Sequence, residues 1–285
     1  MPAIIFALLS FFSWGSGVFI EATVARRMNS SSLVFWGAVI TIILGAFLIP
    51  FQIQYLQFYT IGLLLFNLFL GVGALFSGTL VYYEALKVGN RALVGTIASS
   101  FPFVTVLASF LLLGERISPT QFWAMTIIFT GLFLSIINLQ HSKNWWSRGT
   151  ILATMTMVSW GLYFAFLKIL IVKVGWFWPN YIAFAFFPVL FVYMRARKIP
   201  FEPLTKNKIA MLLIVATFLV RLAEFAYSLG ISYGQVAIVA PIAGANPTLF
   251  VLLSFLIFKD PITRQQILGI ITTLTGIVLL SVFSV

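Results

Sequence analysis

Cysteine is absent from this 285-residue sequence, and charged residues make up only 8% of it. The lack of cysteine excludes disulfides, thiolate metal sites and cysteine nucleophiles. An ordinary soluble domain carries about 25% charged residues, so charges this scarce cannot cover a soluble surface. Apolar residues reach 61%, and they form successive runs long enough to cross a hydrocarbon core of about 30 Å. The composition therefore predicts a membrane protein with many spans.

Histidine and aspartate are almost absent as well. His141 is the only histidine, and Asp260 is the only aspartate. A histidine metal site, a serine–histidine pair and a pair of catalytic aspartates therefore cannot be assembled in the membrane. No phosphate-binding Gly-x-x-x-x-Gly-Lys-Ser/Thr loop is present either. We expect no cofactor, no metal and no enzyme activity, and any active transport must draw on a gradient.

The net charge of +11 comes from 17 lysines and arginines against six acidic residues. Most of the basic residues lie in short connections between apolar runs, so they indicate membrane orientation and not a nucleic-acid interface. The first 20 residues carry no basic start. We interpret them as a retained helix and not as a cleaved signal peptide.

Ten apolar runs are separated by charged or turn-forming residues. The first five predicted helices lie near 2–21, 32–51, 59–86, 91–113 and 119–139. The second five lie near 148–171, 177–194, 208–231, 235–258 and 262–283. The expected fold is an all-α membrane protein of ten transmembrane helices.

The two sets of five resemble each other. With a shift of 145 residues, 17 of 53 positions are identical between 82–134 and 227–279 without a gap. Polar and turn-forming residues are among the matches: Tyr82/Tyr227, Gly89/Gly234, Pro102/Pro247, Ser109/Ser254 and Gly131/Gly276. The sequence therefore predicts two repeats, at 1–140 and 148–285.

Five is an odd number of spans, so the second repeat should enter the membrane upside down relative to the first. Inverted repeats of this kind place a solute site near the midplane, and rocking of the halves exposes it to alternate sides. The connections after predicted helices 1, 3, 5, 7 and 9 hold 13 lysines and arginines, against three on the other side. This bias predicts a multi-pass protein of the cell inner membrane with both termini outside.

Several sequence features together resemble the EamA type of the drug/metabolite transporter superfamily. They are the five-plus-five spans, the Ser-Trp-Gly triplets at 13–15 and 159–161, and Leu-Leu-Leu-Gly-Glu-Arg-Ile-Ser at 111–118. The resemblance implies a cavity lined by helices 1, 3, 4, 6, 8 and 9, with helices 5 and 10 outside it. It also implies transport of amino acids, nucleotide-like metabolites, sugars or drugs. Many members have cytoplasmic termini, and the charge bias here departs from that pattern.

The strongest site signal is a pair of charges in the eighth apolar run. Each charge at mid-membrane costs about 2.5–3.5 kcal/mol, and the spacing of Arg221 and Glu224 puts them on one helical face, which Thr217 and Ser228 extend. We predict that Arg221 binds a substrate carboxylate or phosphate and that Glu224 is the proton-coupling group. The alternative is a buried pair that only satisfies itself.

Other candidate substrate-binding residues are uncharged. Helix 3 presents Asn67, Gly71, Ala74, Gly78 and Tyr82 on one face, which is also typical of close helix packing. Aromatic residues near mid-depth are predicted to contact the solute, or alternatively to pack. These residues are Trp14, Trp160, Tyr163 and Tyr227.

Prolines interrupt two predicted helices at matched positions. Pro102 and Pro247 each remove an amide proton and bend the helix, so we predict that they are hinges. Asn246 is predicted to bind either the freed backbone or the solute. Charged residues near helix ends are expected to extend to the interface, with a gating salt bridge as the alternative. These are Glu84, Lys87, Arg91 and Lys168.

The sequence therefore predicts a gradient-driven, alternating-access carrier of a small metabolite with an anionic group, such as an amino acid or organic acid. Arg221 decides this preference. Its expected partners are the solute, the bilayer and protons as a candidate coupling ion, with the protein a monomer or homodimer and no nucleic acid involved. A proton-coupled exporter of cationic or aromatic drugs is the first alternative, and Glu21 lies at the end of its predicted helix, away from such a role. A membrane enzyme or scaffold is the alternative of another class.

Overall fold

The computed structural model describes residues 1–25, 27–89, 91–136, 147–185, 187–204, 207–259 and 261–284. Secondary structure in these ranges is helical, with no strand among them. In the first half the helices are α1 (Pro2–Ala25), α2 (Ser30–Ala46), α3 (Ile49–Gln52), α4 (Ile61–Leu68), α5 (Ser77–Val88), α6 (Arg91–Ser99), α7 (Phe101–Leu112) and α8 (Pro119–Ile136). A 3-10 segment, Ile53–Phe58, follows α3, and a π-helical segment, Phe69–Phe76, joins α4 to α5.

The described part of the second half is also helical. Its helices are α9 (Arg148–Val174), α10 (Trp178–Phe184), α11 (Phe187–Ala196), α12 (Asn207–Tyr233), α13 (Val236–Gly244), α14 (Asn246–Leu253) and α15 (Arg264–Val282). A π-helical segment, Ser254–Phe258, continues α14.

Eight of the helical stretches are long and apolar enough to cross a membrane, and α2 with the 49–58 segment makes a ninth, bent by 66°. The predicted span at 177–194 instead consists of two short helices, α10 and α11, on either side of residue 186. The all-helical membrane architecture is thus confirmed, and the count of ten spans stays a prediction.

The spans that contain Pro102 and Pro247 each break two residues before that proline. Ser100 separates α6 from α7 with φ −81° and ψ 7°, and its repeat mate Ala245 separates α13 from α14 with φ −74° and ψ 2°. Pro102 and Pro247 are then tolerated because they lie in the first turn of a new helix, where no intrahelical amide bond is lost. Pro102 also contacts the other break, since a Cβ on Gly244 would lie 2.0 Å from its Cγ.

Matched positions of the two halves make matched contacts with the opposite half. A Cβ on Gly15 would lie 2.7 Å from Leu249, and a Cβ on Gly161 would lie 2.5 Å from Val104. Gly15 and Gly161 are counterparts in the two Ser-Trp-Gly triplets, and Val104 and Leu249 are counterparts at the shift of 145. Helix α1 therefore meets α14 as α9 meets α7.

Helices α8 and α15 pack on each other at their glycines. A Cβ on Gly131 would lie 2.4 Å from the Thr273 backbone nitrogen, and one on Gly269 would lie 2.3 Å from the Ser135 backbone nitrogen. The two backbones thus approach more closely than any side chain would permit, as in other small-residue contacts between membrane helices.

We expect Gly269→Ala to destabilise the protein by roughly 1–3 kcal/mol, because the added methyl meets backbone that cannot rotate away. Thermal unfolding in detergent measures the effect. Gly95→Ala is the matched control, since a Cβ there meets no atom within 4 Å and alanine favours the helix. Equal unfolding temperatures for the two variants would show that the helices are not this close.

Candidate functional site

Arg221 and Glu224 form an ion pair on α12, within the helix bundle. Arg221 Nη1 donates to Glu224 Oε2 over 2.6 Å, and the two side chains are 17% and 9% exposed. The guanidinium carbon lies 3.9 Å from the centroid of the Phe184 ring. The Nε atom is buried and has no hydrogen-bond partner among the described residues. Since a guanidinium carries five N–H donors, this one has donors left for another acceptor.

A cavity of about 300 Å³ adjoins the ion pair. Both charged residues line it, together with Thr217 and Val220 of the same helix. Among the described residues, α8 and α15 contribute nothing to the lining, whereas α2 and the α10–α11 region do. The lining therefore includes the second and seventh predicted spans in addition to the six that the family resemblance implies.

The cavity is displaced toward one side of the bundle, which we call the cavity face and define by residues 27–29, 89 and 197–204. The lining residues of α1 lie in its second half, those of α2 near its start and those of α5 in its last turns. The opposite side, which we call the Glu115 face, comprises residues 113–118 and 233–236. The cavity thus extends from mid-depth toward the cavity face.

Aromatic side chains form one wall of the cavity. Trp14, Trp160 and Tyr82 all line it. The Trp160 ring lies 5.3 Å from that of Tyr82 and 6.2 Å from that of Phe101, and Trp14 lies 6.4 Å from Phe101 on the other side. These three predicted binding residues therefore line the hollow, Trp160 packs on Tyr82, and both tryptophans pack on Phe101.

Three other predicted binding residues do not line the cavity. Asn67 is fully buried and donates to the Tyr59 hydroxyl over 2.9 Å. Tyr163 donates to Asn180 Oδ1 over 3.3 Å, and Tyr227 donates to the Phe164 carbonyl over 3.4 Å. Asn180 in turn donates to Ser228 Oγ over 2.6 Å. These side chains hold the bundle together beside the cavity, and their contact with solute stays a prediction.

Asn246 and Pro247 line the cavity, whereas Pro102 is buried outside its lining. Asn246 Nδ2 donates to the Ala243 carbonyl over 3.2 Å. Ala243 lies in the last turn of α13, next to the break that precedes Pro247. Asn246 therefore binds backbone at this break, at the edge of the hollow, and its contact with solute stays a prediction.

Glu21 also lines the cavity, although its position in the sequence indicated a helix end. Helix α1 continues to Ala25, which places Glu21 one turn deeper than expected. Among the described residues it has no hydrogen-bond partner. The cavity thus carries two carboxylates and one guanidinium. A sequence signal for this was available, since Glu21 continues the stripe of Ser10, Ser13 and Gly17 on α1.

Glu115 joins the two halves at the Glu115 face. Its carboxylate accepts hydrogen bonds from the backbone amides of Val236 and Ala237, each 2.8 Å long. Lys168 Nζ lies 3.6 Å from the same carboxylate and also donates to the Gly234 carbonyl. A carboxylate at a helix N-terminus is stabilised by the amides and by the helix dipole, so α7, α9 and α13 are fastened together here.

The other charged residues near helix ends differ in their surroundings. Lys87 pairs with Glu84 over 2.8 Å at an exposed position, as expected for side chains that extend to the interface. Lys168 instead takes part in the contact at Glu115. His141, Asp260 and the side chain of Arg91 lie outside the described residues.

Comparisons with known proteins bear on the whole chain. A statistical model of the EamA-like transporter family matches residues 1–137 and 147–282. An uncharacterised protein of Methanocaldococcus jannaschii is 32% identical over 79 residues, which are 28% of this chain and 58% of that protein. A solved crystal structure superposes with a TM-score of 0.80 and 18% identity, covering 99% of this chain and 97% of the other. At that identity the likeness shows the fold alone.

Proposed function

The chain belongs to the EamA-like transporter family, and from that premise we propose that it is a gradient-driven, alternating-access carrier of a small metabolite with an anionic group. Membership makes it a multi-pass membrane transporter of the drug/metabolite type. The anionic substrate, the coupling ion and the mechanism are the proposal. Amino acids and organic acids are the substrates that we favour.

The proposal depends on the hydrogen bonding of the Arg221 guanidinium. It borders the cavity, donates one hydrogen bond to Glu224, and has a buried Nε without a partner among the described residues. Arginine binds carboxylate and phosphate through two parallel hydrogen bonds. A substrate carboxylate in the hollow would supply the acceptors that this side chain lacks.

Glu224 connects substrate binding to protons in this proposal. A substrate carboxylate at the Nε–H, which has no partner among the described residues, brings a second negative charge to the one guanidinium that already pairs with Glu224. Two carboxylates beside one cation in a largely buried site are costly to keep charged, so Glu224 takes up a proton from the cavity. One proton then moves with each anionic group, which lets a proton gradient drive accumulation.

Alternating access is supported by the matched contacts between the halves. The cavity is displaced toward the cavity face, while Glu115 and Lys168 fasten three helices together at the Glu115 face. If each half adopts the contacts that the other half makes here, the protein reaches a second conformation of similar energy. That conformation is open on the other side of the membrane. We propose that the Glu115 contacts break when the carrier opens toward the Glu115 face.

We expect Glu115→Gln to open the Glu115 face more often. The change removes the charge that binds Lys168 and the α13 amides, and charge-assisted hydrogen bonds contribute about 1.5–3 kcal/mol each. Because the chain has no cysteine, Ser99→Cys gives a single thiol in the cavity lining. A membrane-impermeant maleimide added at the Glu115 face should label that thiol roughly tenfold faster in the Glu115→Gln background.

The control is Glu84→Gln, which removes an equal charge from an exposed pair at the other end of the bundle. It should leave the labelling rate from the Glu115 face unchanged. A Glu115→Gln protein that labels at the parent rate would show that these contacts do not close the pathway.

A proton-coupled exporter of cationic or aromatic drugs is the second candidate, and Glu21 favours it. With Glu21 and Glu224 ionised, two carboxylates face one guanidinium, and an aromatic wall beside them suits an organic cation. Glu21→Gln distinguishes the two candidates, because it should abolish transport of a cationic drug and spare that of an organic acid.

The proposal is tested by counterflow in proteoliposomes. Vesicles loaded with an unlabelled amino acid or organic acid should take up the labelled compound, with saturation and with loss of uptake when the inner compound is omitted. Organic cations without an acidic group should not exchange. Exchange of cations alone would favour the second candidate, and no exchange by any of these compounds would contradict the substrate class.

The direction of insertion is proposed from the charge bias. The cavity face carries most of the lysines and arginines, so it should face the cytoplasm, with both termini outside the inner membrane.

A further inference from the structure

A second recess lies outside the transport cavity, on the membrane-facing surface near the cavity face. It consists of two adjacent hollows of about 390 and 370 Å³ that share Glu84, Tyr193 and Arg197. The ends of α5 and α11 and the start of α9 form its walls. We call it the basic groove and define it by its charged and apolar lining: Leu80, Val81, Glu84, Lys87, Val88, Arg148, Leu152, Tyr193, Arg197 and Lys198.

The basic groove has an excess of positive charge. Four of its residues are cationic and one, Glu84, is anionic, and Glu84 is already paired with Lys87 over 2.8 Å. Arg148, Arg197 and Lys198 have no carboxylate partner among the described residues. Three cations without a carboxylate partner among the described residues, one at the start of α9 and two just after α11, thus converge on one recess.

The other wall of the groove is apolar and runs along the bundle. Leu80, Val81 and Leu152 line the deeper hollow, and Val88 is half exposed beside them. Leu152 lies one turn after Arg148 on α9, and Leu80 and Val81 lie about two turns before the end of α5. A ligand that fits both parts carries an anionic group at one end and a hydrocarbon chain at the other.

Lys198 adds a backbone feature to the groove. It follows α11 in the left-handed conformation, with φ 52°, and the amides of Lys198 and Ile199 donate to the carbonyls of Arg195 and Met194 over 3.1 and 2.9 Å. This is the helix ending in which glycine is preferred, because a Cβ is unfavourable there. A lysine at the position costs helix stability but adds a cation to the groove.

We propose that the basic groove binds an anionic phospholipid, with the phosphate at Arg148, Arg197 and Lys198 and an acyl chain along Leu80, Val81 and Leu152. Charge complementarity selects the headgroup, and the apolar wall selects a lipid over a soluble phosphate. The cytoplasmic leaflet attracts basic residues near the membrane surface through its anionic lipids, which agrees with the charge bias of this face. The bound lipid connects α5 of the first half to α9 and α11 of the second.

Native mass spectrometry of the full-length protein in detergent tests the proposal, with dioleoyl phosphatidylglycerol as the probe and dioleoyl phosphatidylcholine as its zwitterionic counterpart. The groove variant combines Arg148→Gln, Arg197→Gln and Lys198→Gln. Each basic residue near an anionic lipid contributes about fivefold in affinity, so the groove variant should bind phosphatidylglycerol at least tenfold more weakly. The control variant, Lys173→Gln with Arg195→Gln and Arg264→Gln, removes the same charge from residues that do not line the groove and should bind as the parent does.

If the groove variant does not fold, the single variant Lys198→Gly still tests the proposal. Glycine suits the left-handed backbone, so the unfolding temperature without added lipid should stay the same or rise while phosphatidylglycerol binding falls roughly fivefold. Parent-level binding by Lys198→Gly and the groove variant would overturn the proposal. So would equal binding of phosphatidylcholine, and displacement of the lipid by glycerol 3-phosphate at equal concentration would identify a soluble-anion site instead.

Discussion

Counterflow of an amino acid or organic acid is expected to stop when Arg221 is replaced by alanine. The guanidinium is the only cationic group in the described lining of the cavity, so no neighbouring residue can bind the substrate's anionic group in its place. Truncating one partner of a buried, hydrogen-bonded charge pair costs about 2–5 kcal/mol, which corresponds to a loss in affinity of about 30-fold to several thousand-fold. Initial rates of labelled-substrate uptake, measured at several concentrations, give this loss.

Two further variants separate binding from folding. Arg221→Lys keeps the charge but not the planar, two-pronged donor geometry, so it should retain weak exchange with a raised KM. Arg221→Met combined with Glu224→Gln removes both charges of the pair, so Glu224 is not left as a carboxylate without its partner, and the variant should fold and still not transport. Arg264→Ala, at the exposed start of α15, should transport normally. Normal counterflow in Arg221→Ala would contradict the proposal that Arg221 binds the substrate's anionic group.

Replacing Glu224 by glutamine is expected to uncouple transport from the pH gradient without stopping exchange. Glutamine still occupies the space beside Arg221 and accepts its hydrogen bond, but it cannot carry a proton across. Proteoliposomes with a pH difference should therefore show no accumulation above equilibrium. Counterflow at equal pH should continue within a few-fold of the parent rate.

The reason for this split is that exchange returns the carrier with a substrate bound, so no net proton movement is required. Glu84→Gln, an equal change at an exposed pair outside the cavity, should leave both activities intact. Accumulation driven by pH that persists in Glu224→Gln would assign proton coupling to another group, and Glu21 would then be the first to examine.

Much of the architecture was predictable because apolar length and internal repetition are properties of sequence. The runs that became α1, α8, α9, α12 and α15 were placed close to their observed bounds. The span expected at 177–194 was less predictable. Trp178 and Pro179 start a helix there, and the chain forms two short helices in place of one continuous apolar one.

The sequence predicted site residues reliably only where a charged residue interrupts an apolar run. Arg221 and Glu224 could be identified because a charge inside an apolar membrane span is costly and usually has a functional role. Glu21 was missed because the first predicted helix ends at this charged residue, whereas α1 continues to Ala25. Tyr163 and Tyr227 lie on the expected helical faces, but whether an aromatic ring meets a hollow or a neighbour depends on packing between helices, which one sequence does not contain.

The central claim is that one cavity, bordered by Arg221, is reached from the two sides of the membrane in turn. Labelling of the single thiol in Ser99→Cys, with an impermeant maleimide added separately to each face of oriented vesicles, tests it most directly. We expect labelling from both faces, slower from the Glu115 face, with protection on both by a counterflow substrate. Labelling from the cavity face alone, unaffected by substrate, would contradict it.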